Sequence, residues 1–447
     1  MPGENLWKNT AVLTGSALLM RLLGMVWQAW LARRLGAAAM GLWQLMGSVG
    51  FLFATAAVAG IRYTSTRLLA QELGSGRPGS VAAVIRRGEL YALFFGFAAM
   101  SALYAGAGIV ARRWIGDERT VLPLRLLALS LPSEGITGLL SGYFIAVGRV
   151  WKTSAEQLVR QLLRMGFTAA VLGTAAAGDE ISLCAAAAFA GSAAEIAGTL
   201  LLLGIYALDR RRFALSGPAG PRLTARMLGT AFPLALSALA RSALGTCRQM
   251  LVPWGLRSSG LSRTSALAGV GVINGMALPL LTFPACLPGA VAELLVPALT
   301  RAQAAGQTAA LRRQVERMLR YTLLFSTLAS AVFYAGAEIL GALVYRSRET
   351  AVFLRILAPM VPLIYTDIIT DGCLKGLGEM LRSMTYNAAE GLLGLALVWA
   401  LLPRWALTGY IVTLYACEIF NFTLSLGRLK KVTGCRIFLP QPERDRI

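Results

Sequence analysis

Long apolar runs alternate with short polar connectors along the whole chain, and the runs have the length a helix needs to cross a bilayer, about 20 residues at 1.5 Å rise. Twelve such segments fall at approximately 7–31, 40–62, 88–110, 121–147, 155–177, 181–207, 225–251, 265–298, 318–344, 351–374, 386–403 and 406–427. The eighth is the longest and contains Pro279, Pro284 and Pro288, which membrane helices tolerate where neighbouring groups satisfy the freed backbone. This pattern predicts an all-α polytopic membrane protein. Its polar opening, Glu4, Asn5 and Lys8 leading straight into the first run, is that expected of an uncleaved N-terminus.

The connectors differ in charge. With the N-terminus inside, the inner connectors carry Arg62, Arg67, Arg77, Arg86 and Arg87, then Arg149 and Lys152, then Arg210, Arg211, Arg212, Arg222 and Arg226. Further inner connectors carry Arg301, Arg312, Arg313, Arg317 and Arg320, then Lys375 and Arg382, and the tail adds Arg428, Lys430, Lys431 and Arg436. The outer connectors hold only Arg33, Arg34, Arg112, Arg113, Arg119, Arg257, Arg263, Arg346, Arg348 and Arg404. A bias of this size predicts a cytoplasmic-membrane protein with both termini in the cytoplasm.

The longest polar interruption, 209–222, separates six segments from six. In the fourth segment Gly142 and Gly148 are followed by Lys152 and Thr153; in the tenth, Gly372 and Gly378 are followed by Arg382 and Ser383. The first and seventh segments also align, SALLMRLLGMVWQ on SALARSALGTCRQ with one residue skipped. Two matches in the same order indicate two related six-helix bundles, and an even number of passes per bundle gives both the same membrane direction. The expected organisation is an N-terminal bundle at 1–208, a cytoplasmic linker at 209–224, a C-terminal bundle at 225–428 and a basic cytoplasmic tail at 429–447.

A charge deep in a span costs about 2.5–3.5 kcal/mol on insertion scales, so it usually faces a cavity or a partner. Arg21 lies deep in the first segment, and Arg241 takes the comparable place in the seventh, with Arg248 and Gln249 two turns on. The fifth segment presents Glu156, Gln157, Arg160, Gln161 and Arg164 along one helical face. An intrahelical pair explains Glu156 and Arg160 as well as a cavity does; Arg164 is farther in and is assigned to the cavity. Substrate-binding candidates are therefore Arg21, Arg241, Arg248, Arg164 and Arg160, with Gln28, Gln249 and Asn274 as polar neighbours. Candidate ion-coupling carboxylates are Asp367, Asp371 and Glu195.

Composition narrows the function. The chain is 56% hydrophobic and 15% charged with a formal net charge of +21, and soluble domains run near one-quarter charged. Because the cations fall between apolar runs, they point to topology and anionic lipid, with no nucleic-acid role. There is no histidine, which removes histidine metal ligation and histidine general-base catalysis. The six cysteines form no CxxC pair and read as packing residues. No Walker loop, GxSxG or zinc spacing is present, so no enzyme, no metal and no cofactor is expected.

The stretches RLLGMVWQAWLARRLGAAAMGLWQL, GIRYTSTRLLAQE and SGYFIAVGRVWKTSAEQLVR in the first half are similar to the stage V sporulation protein B branch of the polysaccharide transporters. In the second half FPLALSALARSALGTCRQMLVPWGL and GCLKGLGEM carry the same likeness. These transporters belong to the MOP superfamily, with the lipid II flippases and the MATE drug exporters. The resemblance implies two six-helix bundles around a central cavity, translocation of a lipid-linked glycan by alternating access, and a cavity role for Arg21. Lipid II flippases tend to carry a second arginine where this chain has Trp27, and many relatives have fourteen spans. The expected partners are an anionic lipid-linked glycan, membrane lipids and a coupling Na+ or H+, acting on a monomer. A MATE-like exporter of cationic drugs is the alternative and would require Asp367 and Glu195; a membrane scaffold with a basic tail is a third reading.

Overall fold

The computed structural model describes residues 2–74, 80–174, 180–209 and 222–435. Most of the expected linker and the end of the basic tail, 210–221 and 436–447, lie outside the described residues. Within the described residues the chain is helical, with no strand. Among the described residues eight helices are long and apolar enough to cross a membrane by length and composition. Two of them are each divided by a break, at Gly36 (φ 78°, ψ 175°) and at Ala406 (φ 50°, ψ −130°). Two further passes, Leu131–Ala146 and Val150–Thr174, are shorter or more polar.

The resulting passes are α1 (2–35), α2 (37–74, bent at Ala59 and Gly60), α3 (Ser80–Ile109), α4 (Leu131–Ala146), α5 (Val150–Thr174) and α6 (Glu180–Asp209). They continue as α7 (Leu223–Ser258), α8 (263–304, with a π turn at Ile273–Ala277), α9 (Thr308–Ala335), α10 (Val361–Gly376), α11 (380–405) and α12 (407–433). The short helices Val121–Ala128 and Arg348–Leu357 lead into α4 and α10.

By packing, the chain divides into two units, Met1–Met250 and Leu251–Ile447. The division therefore falls within α7, beyond the linker expected from the repeat. Its cause is close contact between α7 and α2: a Cβ on Gly60 (φ +72°) would lie 2.8 Å from the Ala231 carbonyl oxygen. At the same interface Arg226 donates to Glu72 Oε1 at 2.8 Å, and Thr246 Oγ1 donates to the Ser48 carbonyl at 3.0 Å. Backbone approach this close is available only where glycine or small residues line the seam.

The first unit is centred on α4, whose glycines let α2 and α3 come near. A Cβ on Gly142 would sit 2.5 Å from the Arg62 carbonyl oxygen, and one on Gly135 2.8 Å from that of Ala92. Around this seam Ile61, Leu69, Ala92, Leu139, Leu140, Tyr143 and Phe144 are fully buried. Buried hydroxyls satisfy what the packing leaves over: Tyr91 donates to the Ala59 carbonyl at the α2 bend at 2.9 Å, and Tyr143 donates to Asp209 at 3.0 Å. Asp209, only 1% exposed, also accepts from Arg149 and Lys152, which fastens the end of α6 to the start of α5.

The second unit repeats the device around α10. Gly372, matching Gly142, packs so closely on α8 that a Cβ would meet Ala292 Cβ at 2.6 Å. Leu299, Val315, Leu319, Ile369, Cys373, Leu374 and Leu429 are fully buried there, and Tyr365 donates to the Leu281 carbonyl at 2.7 Å. The equal spacing persists in backbone geometry. Pro132 and Pro362 open the matching helices, and Gly148 (φ +73°) and Gly378 (φ +79°) turn the chain after them. Each half of the sequence repeat also has a π turn after its third pass, Val110–Ile115 and Gly341–Tyr345, closed by left-handed Gly116 and left-handed Arg346 respectively.

Candidate substrate cleft and buried charge clusters

Arg241 lies on α7, where it lines an open cleft of about 670 Å³ in the first unit. The opposite wall is α2, through Gln44, Ser48, Phe51 and Thr55, and Ser242, Thr246 and Gln249 complete the polar lining. Thr55 donates to Ser242 at 3.4 Å, and Gln249 donates to the Gln44 carbonyl at 3.5 Å, so two of the cross-helix contacts are long hydrogen bonds. Arg241 is the one charged residue of this lining and is itself exposed. A guanidinium offers five donors in a planar fork, which suits phosphate oxygens.

Arg21 is exposed on α1, while Gln28 and Arg248 are half-buried; none of the three lines this cleft. Asn274 is in the second unit, in the π turn of α8, where Oδ1 accepts from the Tyr410 hydroxyl at 2.9 Å. Of the eight expected substrate contacts, the structure thus brings Arg241 and Gln249 together in one cleft.

Arg160 and Arg164 are elsewhere, in a cluster of buried charge that joins α5 and α6. Arg160 pairs with Glu156 at 2.9 Å and with Glu195 at 2.5 Å, and Arg164 reaches the other oxygen of Glu195 at 3.3 Å. Glu156 and Glu195 are 0% and 2% exposed, so these are desolvated pairs. Gly198 makes room for them: a Cβ there would lie 2.7 Å from Arg160 Cδ. The cluster borders a second, smaller cavity of about 250 Å³ lined by Trp27, Trp43, Glu134, Arg164 and Glu195. Trp27 and Trp43 meet edge to face at 6.3 Å between ring centroids. Glu134 faces this cavity and makes no ion pair within 4.0 Å among the described residues; Arg160 and Arg164 are paired with Glu156 and Glu195 alone.

In the second unit Asp367 and Asp371, one turn apart on α10, have different surroundings. Asp371 pairs with Lys375 at 2.6 Å and accepts from Ser383, an ordinary boundary arrangement. Asp367 Oδ2 accepts from Asn421 Nδ2 at 2.9 Å, and the same amide reaches Asn387 Oδ1 at 3.3 Å. Asp367 Oδ1 and Asn421 Oδ1 are buried and without hydrogen-bond partners. The two residues are already hydrogen-bonded to each other, and each leftover oxygen can accept from one further donor or contribute a single ligand to a small cation. Asn387 and Asn421 carried no signal in the sequence, since single asparagines on separate helices reveal a joint role only once the helices pack.

Residues 6–303 match the model of a family described as polysaccharide biosynthesis protein. The chain belongs to this family. It is 22% identical over 410 residues to stage V sporulation protein B of Bacillus subtilis (strain 168), covering 90% of this chain and 79% of that one. Sporulation protein YkvU of the same organism is 20% identical over 317 residues, covering 69% and 70%. Among solved structures the chain resembles an inward-facing multidrug resistance MATE family transporter of the MOP superfamily, with a TM-score of 0.74 at 14% identity over 93% of this chain and 96% of that one. A MOP superfamily transporter from Pyrococcus furiosus, described as having a binding pocket of reverse polarity, gives a TM-score of 0.60 at 14% identity, covering 96% and 95%. The protein is thus a multi-pass membrane protein of the polysaccharide biosynthesis family, with the fold seen in MATE transporters.

Proposed function

We propose that the protein translocates a polyprenyl-diphosphate-linked oligosaccharide or peptidoglycan precursor from the cytoplasmic to the outer leaflet by alternating access, acting as a monomer with both termini in the cytoplasm. The observation that carries this reading is the charge of the open cleft: Arg241 is its one charged residue, among hydroxyls and amides suited to a sugar. A cationic drug would meet repulsion there. Arg21 on α1 and Arg248 on α7 are assigned as further cations for the diphosphate; Arg160 and Arg164 pair with Glu156 and Glu195. The diphosphate enters the cleft, and the hydrocarbon tail stays in lipid. Coupling to Na+ or H+ is assigned to Asp367 with Asn387 and Asn421, where the partnerless oxygens support it.

Reconstitution into vesicles tests this directly, with a fluorescent polyprenyl diphosphate-sugar in one arm and a cationic dye in the other. The lipid-linked sugar should cross and the dye should not. Arg241→Ala should slow the crossing at least tenfold with unchanged yield of folded protein, on the scale of one charge-assisted contact at about 1.5–3 kcal/mol. Asp367→Asn should remove any dependence on a Na+ or H+ gradient. Movement of the dye alone, or normal crossing by Arg241→Ala, refutes the reading.

A further inference from the structure

The connector between α9 and α10 encloses a cavity of about 590 Å³ whose lining includes Glu338, Ala342, Arg346, Ser347, Arg348 and Arg355. Arg355 pairs with Glu338 at 3.2 Å. Arg346 and Arg348 have no carboxylate within 4.0 Å among the described residues, and Glu349 in the same turn is exposed and outside the lining. Three guanidiniums therefore face one carboxylate in a space the size of a small ligand. Val352 in the lining is an exposed aliphatic side chain, and Ile339, Leu343 and Ile356, each next in sequence to a lining residue, are exposed as well. A polar cationic pocket bordered by exposed aliphatic residues at the end of a membrane helix has the chemistry of a lipid headgroup seat, with acyl chains lying along the aliphatic side.

The local backbone does not call for arginine here. Arg346 occupies the left-handed region (φ 53°, ψ 36°), where the equivalent turn of the first unit has Gly116 (φ 76°, ψ 21°). An arginine held in a conformation suited to glycine, with its side chain in a cavity beside two others, is placed for its charge. Three passes separate this connector from the end of α12, so the pocket is on the membrane face opposite the C-terminal end.

We propose that this pocket is a binding site for the phosphate group of an anionic membrane phospholipid, held by Arg346, Arg348 and Arg355. Native mass spectrometry of the full chain in detergent, with phosphatidylglycerol or phosphatidylcholine of equal chain length, tests it. Wild type should retain phosphatidylglycerol at least tenfold better than phosphatidylcholine. Arg346→Gly/Arg348→Ala should bring that preference down at least fivefold, whereas Arg257→Ala/Arg404→Ala, with the same loss of charge, should leave it in place. Arg346→Gly also frees the turn from strain, so its melting temperature should equal or exceed that of wild type and loss of lipid cannot be attributed to unfolding. An unchanged preference in the first double variant overturns the proposal, as does equal loss in the second. Displacement of phosphatidylglycerol by equimolar inorganic phosphate overturns it too, since a free anion would then be the better occupant.

Discussion

Replacing Glu195 with glutamine removes the one carboxylate that touches both Arg160 and Arg164 while keeping side-chain shape. In the folded protein Glu195 is 2% exposed, Arg160 17% and Arg164 34%, and the two contacts are 2.5 and 3.3 Å. Arg160 keeps Glu156 at 2.9 Å, so its charge remains compensated; Arg164 loses its only carboxylate within 4.0 Å among the described residues. Removing one partner of a buried pair costs about 3–5 kcal/mol, and because Arg160 stays paired and Arg164 is partly exposed, the lower end applies, about 3 kcal/mol. For a unit of this size that corresponds to a melting temperature lower by roughly 6–10 °C. The assay is tryptophan fluorescence during thermal unfolding in detergent, with Arg164→Met alone and combined with Glu195→Gln to complete a cycle. The double variant should be less destabilised than the sum of the singles by about 1–2 kcal/mol, because the unpaired cation is gone. A melting temperature for Glu195→Gln within about 1 °C of wild type, where roughly 6–10 °C is expected, would refute the view that these charges hold α5 to α6.

The glycine pairs separate two kinds of cost. Gly148→Ala and Gly378→Ala should each destabilise by about 1 kcal/mol through positive φ alone, because a Cβ at either position has nothing within 4 Å; Gly142→Ala should cost about 1–3 kcal/mol through the close Arg62 carbonyl, and a chemical melt ranks them. At the start of α11, hydrogen bonds from Arg428 at 3.1 and 2.6 Å hold the Glu379 carboxyl below its usual range. A lowered folded value means this carboxylate stabilises the protein above the unfolded value of roughly 4.3 and loses that contribution as pH falls through the folded one. The acid-induced fall in melting temperature should therefore be shallower in Glu379→Gln than in wild type.

Much was legible before folding because membrane constraints act locally. A helix satisfies its own backbone hydrogen bonds, so apolar length located the passes; the break at Gly36 falls between segments drawn from hydropathy, and the one at Ala406 falls on the first residue of the twelfth. The repeat was readable as well: Gly148 and Gly378 were matched by spacing and both take positive φ, since a tight turn after a buried helix makes the same local demand in each unit.

Partner choice was not legible. Periodicity placed Arg160 and Arg164 on one face of α5, but the residue they meet, Glu195, is on another helix, and only packing past Gly198 sets their distance. Asp367 and Asp371 look alike one turn apart, yet a single helical turn puts one against Asn421 and the other against Lys375 and Ser383. The sequence by itself determined the solvent, the passes, the duplication and the excess of arginine, because each follows from the cost of polar groups in lipid. Tertiary structure alone decided which arginines are neutralised and which, like Arg241, face an open cleft, because a charge's role depends on what packing brings within about 4 Å of it.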